Sequence, residues 1–176
     1  MRRRVVSMLC VLSAVFALAS SGGAGEPAAG KAALARFKAL AGDWEGHVDT
    51  PDGPGARIEF RVTGGGSAVS ERLFPGTPHE MLTVYHLVGD DLVLTHYCAM
   101  GNQPRMKLVA GGAEGALRFD FAGGDNVDAE KGMHMHSGVV SKLTADRYEA
   151  DWALLKDGKP VGNNRFFMTR AAQPAK

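Results

Sequence analysis

The sequence predicts an all-β fold: an antiparallel barrel of ten strands with a short N-terminal helix. Short runs of alternating apolar and polar residues fill the chain after residue 44, and Gly, Asp and Asn separate them. Ten such runs joined by short turns within one domain favour a meander that closes into a barrel. Closure also removes the strand edges that an open sheet would have to protect from pairing with other chains.

The helix is predicted within KAALARFKALAGDW, residues 31–44. Leu34, Phe37 and Leu40 recur there at helical spacing, and Gly42 ends the pattern. Alternation with a period of two replaces the helical pattern from that point on. The predicted strands are Trp44–Asp49, Ala56–Thr63, Ala68–Phe74, Glu80–Leu87, Leu92–Ala99, Arg105–Ala110, Ala116–Phe121, Met133–Leu143, Arg147–Lys156 and Val161–Thr169.

A hairpin in the middle of the chain assigns side chains to the interior. Gly89 and Asp90 suit a tight turn between two of the predicted strands. This turn determines which side chains of the two strands share a face. The face that carries His96 and Cys98 has the longer apolar run, so we expect it to point inward. The register pairs Leu87 with Leu92, Tyr85 with Leu94, Thr83 with His96, and Met81 with Cys98.

A second hairpin, with its turn at residues 145–146, orients the stretch MHMH. Continuing the alternation backwards from this turn places Met133 and Met135 inward, and His134 and His136 on the solvent side. The register pairs Leu143 with Tyr148, Ser141 with Ala150, and Val139 with Trp152. An apolar chamber would then be lined by Met133, Met135, Tyr85, Trp152 and Phe167.

The N-terminus predicts export. MRRRVVSMLCVLSAVFALASS has arginines before an apolar run and small residues at a suitable cleavage position, which is the pattern of a signal peptide over residues 1–19. The run is shorter than the roughly 20 apolar residues of a spanning helix. We therefore expect a periplasmic or extracellular protein with no membrane segment after processing. The remaining regions are predicted as a flexible linker (20–30), the barrel (31–170) and a tail (171–176).

The charge balance argues against nucleic acid and anionic membranes as partners. The chain has 20 Lys and Arg against 19 Asp and Glu, and loss of Arg2, Arg3 and Arg4 leaves 17 against 19, a net charge of −2. Such a chain has no strong attraction for polyanions. Cleavage also removes Cys10, so Cys98 is left without a partner for an internal disulfide. The oligomeric state is left open.

A family resemblance begins at GDW, residues 42–44, which follows the predicted helix. Together with Arg170 at the end of the last strand, it resembles the signature of the calycin superfamily, which includes lipocalins and fatty-acid-binding proteins. The resemblance implies structural roles for Gly42, Trp44 and Arg170, with the tryptophan packed against the arginine to close one end of the barrel. A cation–π stack is the physical basis of that closure.

A longer pattern narrows the resemblance. Four stretches together are similar to a family of bacterial, often exported, calycin-like proteins related to nitrobindin-like barrels. These stretches are LFPGTPHEMLTVYH, LTHYCAMGNQPRM, KDGKPVG and FFMTR. The similarity spans roughly residues 34–170 and implies a ten-stranded barrel. It implies no settled activity. Nitrobindin-like barrels bind haem through a histidine late in the chain, whereas the last strand here, NNRFFMTR, has none. Haem therefore stays an alternative and not the predicted cofactor.

His96 and Cys98 are the first candidates for chemistry, because residues two apart share a strand face. A metal would need more ligands nearby, for which His79 is a candidate. The alternative is an internal histidine bonded to Tyr or Thr beside a buried cysteine. A metal site is not predicted, because the spacing matches no established zinc signature. A Cys–His nucleophile is not predicted either, because side chains two apart on a strand start roughly 7 Å apart on the backbone.

Arg105 has two interpretations. It could clamp a carboxylate or phosphate from inside the barrel, or form an ion pair with Glu71 or Glu80.

The predicted function is binding of a small apolar or amphipathic molecule in the lumen, with no catalytic residue assigned. Three alternatives stay open: a haem protein, an enzyme with a His and Arg pocket, and an interaction module with a filled barrel. The predicted ligand-binding residues are Tyr85, His96, Cys98, Arg105, Met133, Met135 and Trp152.

Overall fold

The structure is a computed structural model that describes residues 29–110 and 113–172. Helix α1 precedes ten strands, and a short 3-10 turn at Gly64–Gly66 joins β2 to β3. The bounds are α1 Ala29–Ala39, β1 Gly42–Val48, β2 Gly55–Thr63, β3 Ala68–Leu73, β4 Met81–Val88, β5 Asp91–Tyr97, β6 Gln103–Val109, β7 Leu117–Asp125, β8 His134–Ser141, β9 Arg147–Lys156 and β10 Lys159–Arg170.

The ten strands form a closed antiparallel barrel, as predicted. Each strand pairs with its neighbours in the chain, and β1 pairs with β10 to close the sheet. Helix α1 begins at Ala29, so the last two residues of the predicted linker belong to the helix. The predicted signal peptide and the rest of that linker lie outside the described residues. In the described segments, no helix has the length and apolar character required to cross a bilayer.

Helix α1 and the Trp44–Arg170 pair close one end of the barrel. Phe37 of the helix is fully buried and stacks on Tyr85, with 4.0 Å between ring centroids. The Arg170 guanidinium lies 4.4 Å from the centroid of the Trp44 ring, which matches the contact implied by the resemblance. Gly42 leaves room for this arginine, because a Cβ there would lie 2.7 Å from its Nη1.

The first hairpin has the predicted register. A tight turn joins β4 and β5 at Gly89 and Asp90, and Gly89 has φ 62°, as such turns require. Thr83 lies opposite His96, and both are buried. Local turn chemistry therefore sets which side chains of these two strands face the lumen.

The second hairpin differs from its prediction by one residue. The turn at residues 145–146 is present. Lys142, which precedes this turn, has φ 50° and makes the loop between β8 and β9 one residue longer than predicted. Because side chains alternate, this shift exchanges the two faces of β8: Val140 is buried and Val139 is exposed. The observed pairs are Ser141 with Glu149, Val140 with Ala150, Val139 with Asp151, and Gly138 with Trp152.

A β-bulge further along β8 reverses the faces again. The register between β8 and β9 shifts by one residue between Met135 and Ser137. In this stretch β8 therefore has one residue more than β9. Met135 therefore pairs with Leu154 and faces the lumen, as predicted, although the hairpin register behind that prediction was wrong. The extra loop residue at Lys142 and the bulge after Met135 each shift the register by one residue, and their effects on the orientation of Met135 cancel.

The two histidines of MHMH do not both face solvent. Pairing of β7 with β8 covers Leu117–Asp120 and ends there, and the ring of Phe121 packs beside the gap. His134 and His136 lie 4.8 Å and 5.2 Å from the Phe121 ring centroid, with His134 buried and His136 partly buried. The solvent-facing position predicted for His134 is wrong, because the strands separate and these rings fill the space between them.

Candidate functional site

A cavity of about 210 Å³ lies inside the barrel on the side of Glu71 away from α1. Its wall is mostly apolar, with the polar groups concentrated at one end, which is the usual character of a small-molecule site. Four of its lining residues are methionines, which suit an adaptable apolar surface. The lining residues are Glu71, Leu73, Met81, Thr83, His96, Cys98, Ala99, Met100, Met133, Met135, Trp152, Leu154, Asn164 and Phe166.

A hydrogen-bonded group forms the polar floor of this cavity. The Tyr85 hydroxyl donates to Glu71 Oε2 at 2.7 Å, and Thr83 Oγ1 lies 2.9 Å from His96 Nδ1. All four side chains are buried, and they come from three consecutive strands, β3, β4 and β5. The register places them side by side, since Glu71 pairs with Thr83 and Thr83 pairs with His96.

Burial shifts both titratable groups toward their neutral forms. The pKa of Glu71 rises to about 7, because removal from water outweighs the hydrogen bonds from Tyr85 and Thr83 that favour its carboxylate. The pKa of His96 falls to about 4 for the same reason, since burial penalises the imidazolium. At neutral pH the imidazole is therefore uncharged, while Glu71 is poised to gain or lose a proton.

The hydrogen bonds define which ring nitrogen of His96 can meet a ligand. Thr83 has one hydroxyl proton, and when it donates to Glu71, its oxygen accepts from Nδ1–H of His96. Nε2 then carries a lone pair and has no hydrogen-bond partner among the described residues. The floor accordingly presents two acceptors to the cavity, the Glu71 carboxylate and His96 Nε2.

Most of the residues predicted to bind a ligand border this cavity. Five of them line it, and Tyr85 lies just beneath, between Glu71 and Phe37. Their role in binding remains a prediction. The five lining residues are His96, Cys98, Met133, Met135 and Trp152.

Two predicted positions are wrong. Arg105 lies on the outside of the barrel, where its guanidinium is 3.6 Å from Asp125, so it neither reaches the lumen nor pairs with Glu71 or Glu80. The bulge in β6 beside Pro104 lies next to this residue. Phe167 faces outward, and Phe166 lines the cavity in its place, because Phe166 pairs with the inward-facing Ala150.

Glu71 is the titratable residue of the site that the sequence interpretation did not assign. The sequence suggests it as one possible ion-pair partner of Arg105, whereas it is 3% exposed and faces the lumen. The alternation of Val69, Glu71 and Leu73 carried the signal, since both apolar neighbours are buried on the same face. A charged residue in such a row is normally solvated, so the alternation alone does not predict that Glu71 is buried.

The mouth of the cavity is formed by two loops that are tied together. The Asn102 side chain donates from Nδ2 to the Met133 carbonyl oxygen at 2.8 Å, which joins the turn after β5 to the segment before β8. Met100 and Met133 flank this contact and are partly exposed at the entrance. Asn102 Oδ1 is buried and has no partner among the described residues, so this tie is not fully satisfied.

Neither haem nor a metal fits the residues around the cavity. From β10 the cavity receives Asn164 and Phe166, so the last strand offers it no imidazole. Its 210 Å³ is below the roughly 300–1,000 Å³ of sites for drug-sized ligands, and a haem is larger than such ligands. His79 is exposed and does not line the cavity, and the described residues contain no group of three His, Cys, Asp or Glu side chains able to hold a metal ion.

Three larger hollows, of about 540, 730 and 350 Å³, lie on the outer surface of the barrel. The first is bordered by Arg118, Asp151 and Arg165, and the second by Arg57 and Arg147. Charged side chains of this kind are usual on the solvated face of a sheet. The interior cavity, which combines enclosure with buried polar groups, is therefore the candidate site.

Gly138 holds the indole of Trp152 in position against the wall. The two residues lie opposite each other on β8 and β9, and a Cβ on Gly138 would be 1.9 Å from Cε3 of the indole. The ring thus lies directly over the glycine backbone. Any side chain at this position would push the indole away from its strand and into the cavity.

Gly138→Ala is therefore expected to lower the free energy of unfolding by about 1–3 kcal/mol, the usual cost of overpacking. Urea denaturation followed by circular dichroism measures the change. Gly55→Ala is the matched control, because a Cβ there meets nothing within 4 Å and the cost should be small. Trp152→Phe in the Gly138→Ala background removes the overlapping ring and should restore much of the loss. Equal effects of the two glycine substitutions would contradict the assigned contact.

The comparisons with known proteins place the chain in no family. No protein-family model matches it, and no curated protein matches it.

Proposed function

We propose that this protein is an exported carrier or receptor that binds a small, largely apolar molecule in its barrel. The observation that supports this function best is the unfilled cavity of about 210 Å³, with an apolar wall and a polar floor of Glu71, Thr83 and His96. At about 30 Å³ per water molecule in the liquid, this volume has room for a ligand of roughly seven non-hydrogen atoms. The export rests on the signal-peptide pattern of residues 1–19.

The cavity bears on two alternatives. A barrel filled by its own side chains would leave no such space, so an interaction module with a packed lumen is the less favoured function. An enzyme that uses a His and Arg pocket lacks its arginine, because Arg105 lies outside the barrel. Binding of a small molecule requires neither a nucleophile nor Arg105. It requires only the apolar cavity and its polar floor.

The methionines provide a direct test of binding in the lumen. Of the six methionines in the described residues, Met81, Met100, Met133 and Met135 line the cavity, whereas Met106 and Met168 are buried elsewhere in the core. The mature chain labelled with ¹³C at its methionine methyl groups should be titrated with n-hexanol and followed by NMR. We expect the four lining methyl signals to shift and the two core signals to stay in place.

Two adjacent leucines give the matched variants for this experiment. Leu154 lines the cavity, whereas Leu155 does not and pairs with His134, whose buried ring packs against Phe121 instead of lining the lumen. Leu154→Trp should fill the space and abolish the shifts, and Leu155→Trp should leave them unchanged. Uniform shifts of all six methyl signals, or shifts that survive Leu154→Trp, would argue against a lumenal site.

A further inference from the structure

Glu71 is a buried acid at the floor of the cavity without a basic partner. Its side-chain hydrogen bonds come from the hydroxyls of Tyr85 and Thr83, both of which donate to it. The neighbouring Arg72 points outward and pairs with Glu59 and Glu80. Among the described residues, no Lys or Arg lines the cavity. A carboxylate in such a place is costly unless a cation reaches it.

The other groups at the floor are also suited to a hydrogen-bond donor. When Thr83 donates to Glu71, its oxygen accepts from Nδ1–H of His96, and Nε2 of His96 carries a lone pair. A protonated amine carries several N–H donors and a positive charge, so it satisfies both the Glu71 carboxylate and His96 Nε2. A carboxylate ligand would face the ionised Glu71 and the Nε2 lone pair, neither of which can donate a hydrogen bond to it.

The wall of the cavity accommodates a cation with an apolar body. Trp152 and Phe166 supply aromatic rings, whose faces attract cations, and Leu73, Met81 and Met135 supply apolar surface. The volume limits the body to a short chain or a small ring. Affinity would come from the apolar contacts, and selectivity from the charge at the floor.

We propose that the ligand is a protonated amine on a short apolar body, with its ammonium group bound by the Glu71 carboxylate and His96 Nε2. This inference rests on the proposed function, because it names the class of ligand for the same cavity. It also separates this chain from a carrier of fatty acids, whose carboxylate would be repelled by Glu71.

The groups that face Glu71 make the pH dependence of amine binding predictable. Tyr85 from β4 and Tyr148 from β9 have pKa values raised well above 10, and His96 from β5 is neutral above about pH 4, so none of them changes charge near neutrality. Of these four buried groups, Glu71 is the one that titrates there, with a pKa of about 7. Amine affinity should rise with pH up to about 7 and then level off, because binding requires the carboxylate.

The test compares n-hexylamine, n-hexanol and hexanoate as ligands of the mature chain at about pH 8, by calorimetry and by the methionine methyl signals. We expect hexylamine to bind about tenfold more tightly than hexanol, the size of a charge-assisted hydrogen bond, and hexanoate to bind weakest. At about pH 5.5 the advantage of the amine should disappear, because Glu71 is then protonated.

Glu71→Gln should remove the preference for the amine and its pH dependence while hexanol still binds, because glutamine keeps the shape and the contact with Tyr85. Glu80→Gln, which removes an exposed carboxylate outside the lumen, should leave the preference unchanged. If hexanol shifts the lining methyl signals but hexylamine binds no better, the amine inference is wrong and the lumenal site stands. If no ligand shifts them, both proposals fail together.

Discussion

Replacing Trp44 with alanine should remove about 3–5 kcal/mol of the free energy of unfolding, the usual cost of truncating a large buried aromatic side chain. Trp44 is 1% exposed and packs edge-on against Tyr148, with ring centroids 4.9 Å apart. Its Nε1–H donates to the Leu40 carbonyl oxygen at 2.7 Å, at the end of α1. The loss would be a large part of the 5–15 kcal/mol typical of a single domain.

The same substitution should also loosen helix α1 from the barrel, because Trp44 and Arg170 hold the end of the helix together. Arg170 donates to the carbonyl oxygens of Ala39 and Ala41, at 3.1 Å and 2.9 Å, where a positive charge is favoured by the helix dipole. Without the indole, the guanidinium loses its stacking surface.

Urea denaturation of the Trp44→Ala variant, followed by the fluorescence of the remaining Trp152, measures this effect. Trp44→Phe is the informative second variant, since it keeps an aromatic ring but not the N–H donor, and it should cost about half as much. Val161→Ala, at an exposed position, should cost little. A loss below about 1 kcal/mol in Trp44→Ala would show that this end of the barrel does not depend on the tryptophan.

Glu71 and His96 should have opposite effects on the pH dependence of stability. The pKa of Glu71 is raised from 4.5 to about 7 on folding, so its contribution is fully present below about pH 4.5 and is lost as the pH rises through 7. The pKa of His96 is lowered from 6.5 to about 4, so its contribution is fully present above about pH 6.5 and is lost as the pH falls through 4. The two slopes oppose each other between these limits.

The wild-type profile should therefore be flatter in this window than the profile of either single variant. At about 1.4 kcal/mol per pKa unit, each group changes the free energy of unfolding by on the order of 3 kcal/mol over its range. In Glu71→Gln, His96 is the member of the pair that still titrates, and the free energy of unfolding should rise with pH from about 4 to 6.5. His96→Asn leaves the glutamate alone, and stability should fall from about pH 4.5 to 7.

The measurement is urea denaturation at a series of pH values from about 4 to 8, analysed as the difference between each variant and the wild type. Taking the difference cancels the contribution of surface groups that are the same in both proteins, such as Glu80 and Glu149, whose pKa values are also lowered. Differences that stay constant over the whole range would contradict the buried, neutral state of both groups.

The strand pattern and the tight turns were predictable from the sequence because they are local properties. Alternation needs no distant partner, and the turn at Gly89 depends on a residue that tolerates positive φ. From these alone follow the ten strands, the register of β4 and β5, and the inward position of His96. The closing contact of Trp44 with Arg170 came from the family resemblance, since nothing local to either residue specifies it.

Tertiary structure decided the positions that depend on packing between distant segments. The extra loop residue at Lys142 and the bulge between Met135 and Ser137 adjust β8 to its neighbours, and no turn motif announces either one. The β7–β8 gap that buries His134 likewise exists only once both strands are placed in the barrel.

The floor of the cavity shows the same division. Alternation determined that Glu71, Thr83 and His96 each lie on one particular face of their strands. Whether that face meets water or the lumen was decided by closure of the barrel, which brings Trp152 and Phe166 of β9 and β10 across from them. The sequence by itself determined the order of side chains along each strand, because that order follows from the period of the backbone. The tertiary structure decided which of them share a dry cavity, because burial depends on neighbours that are remote in the chain.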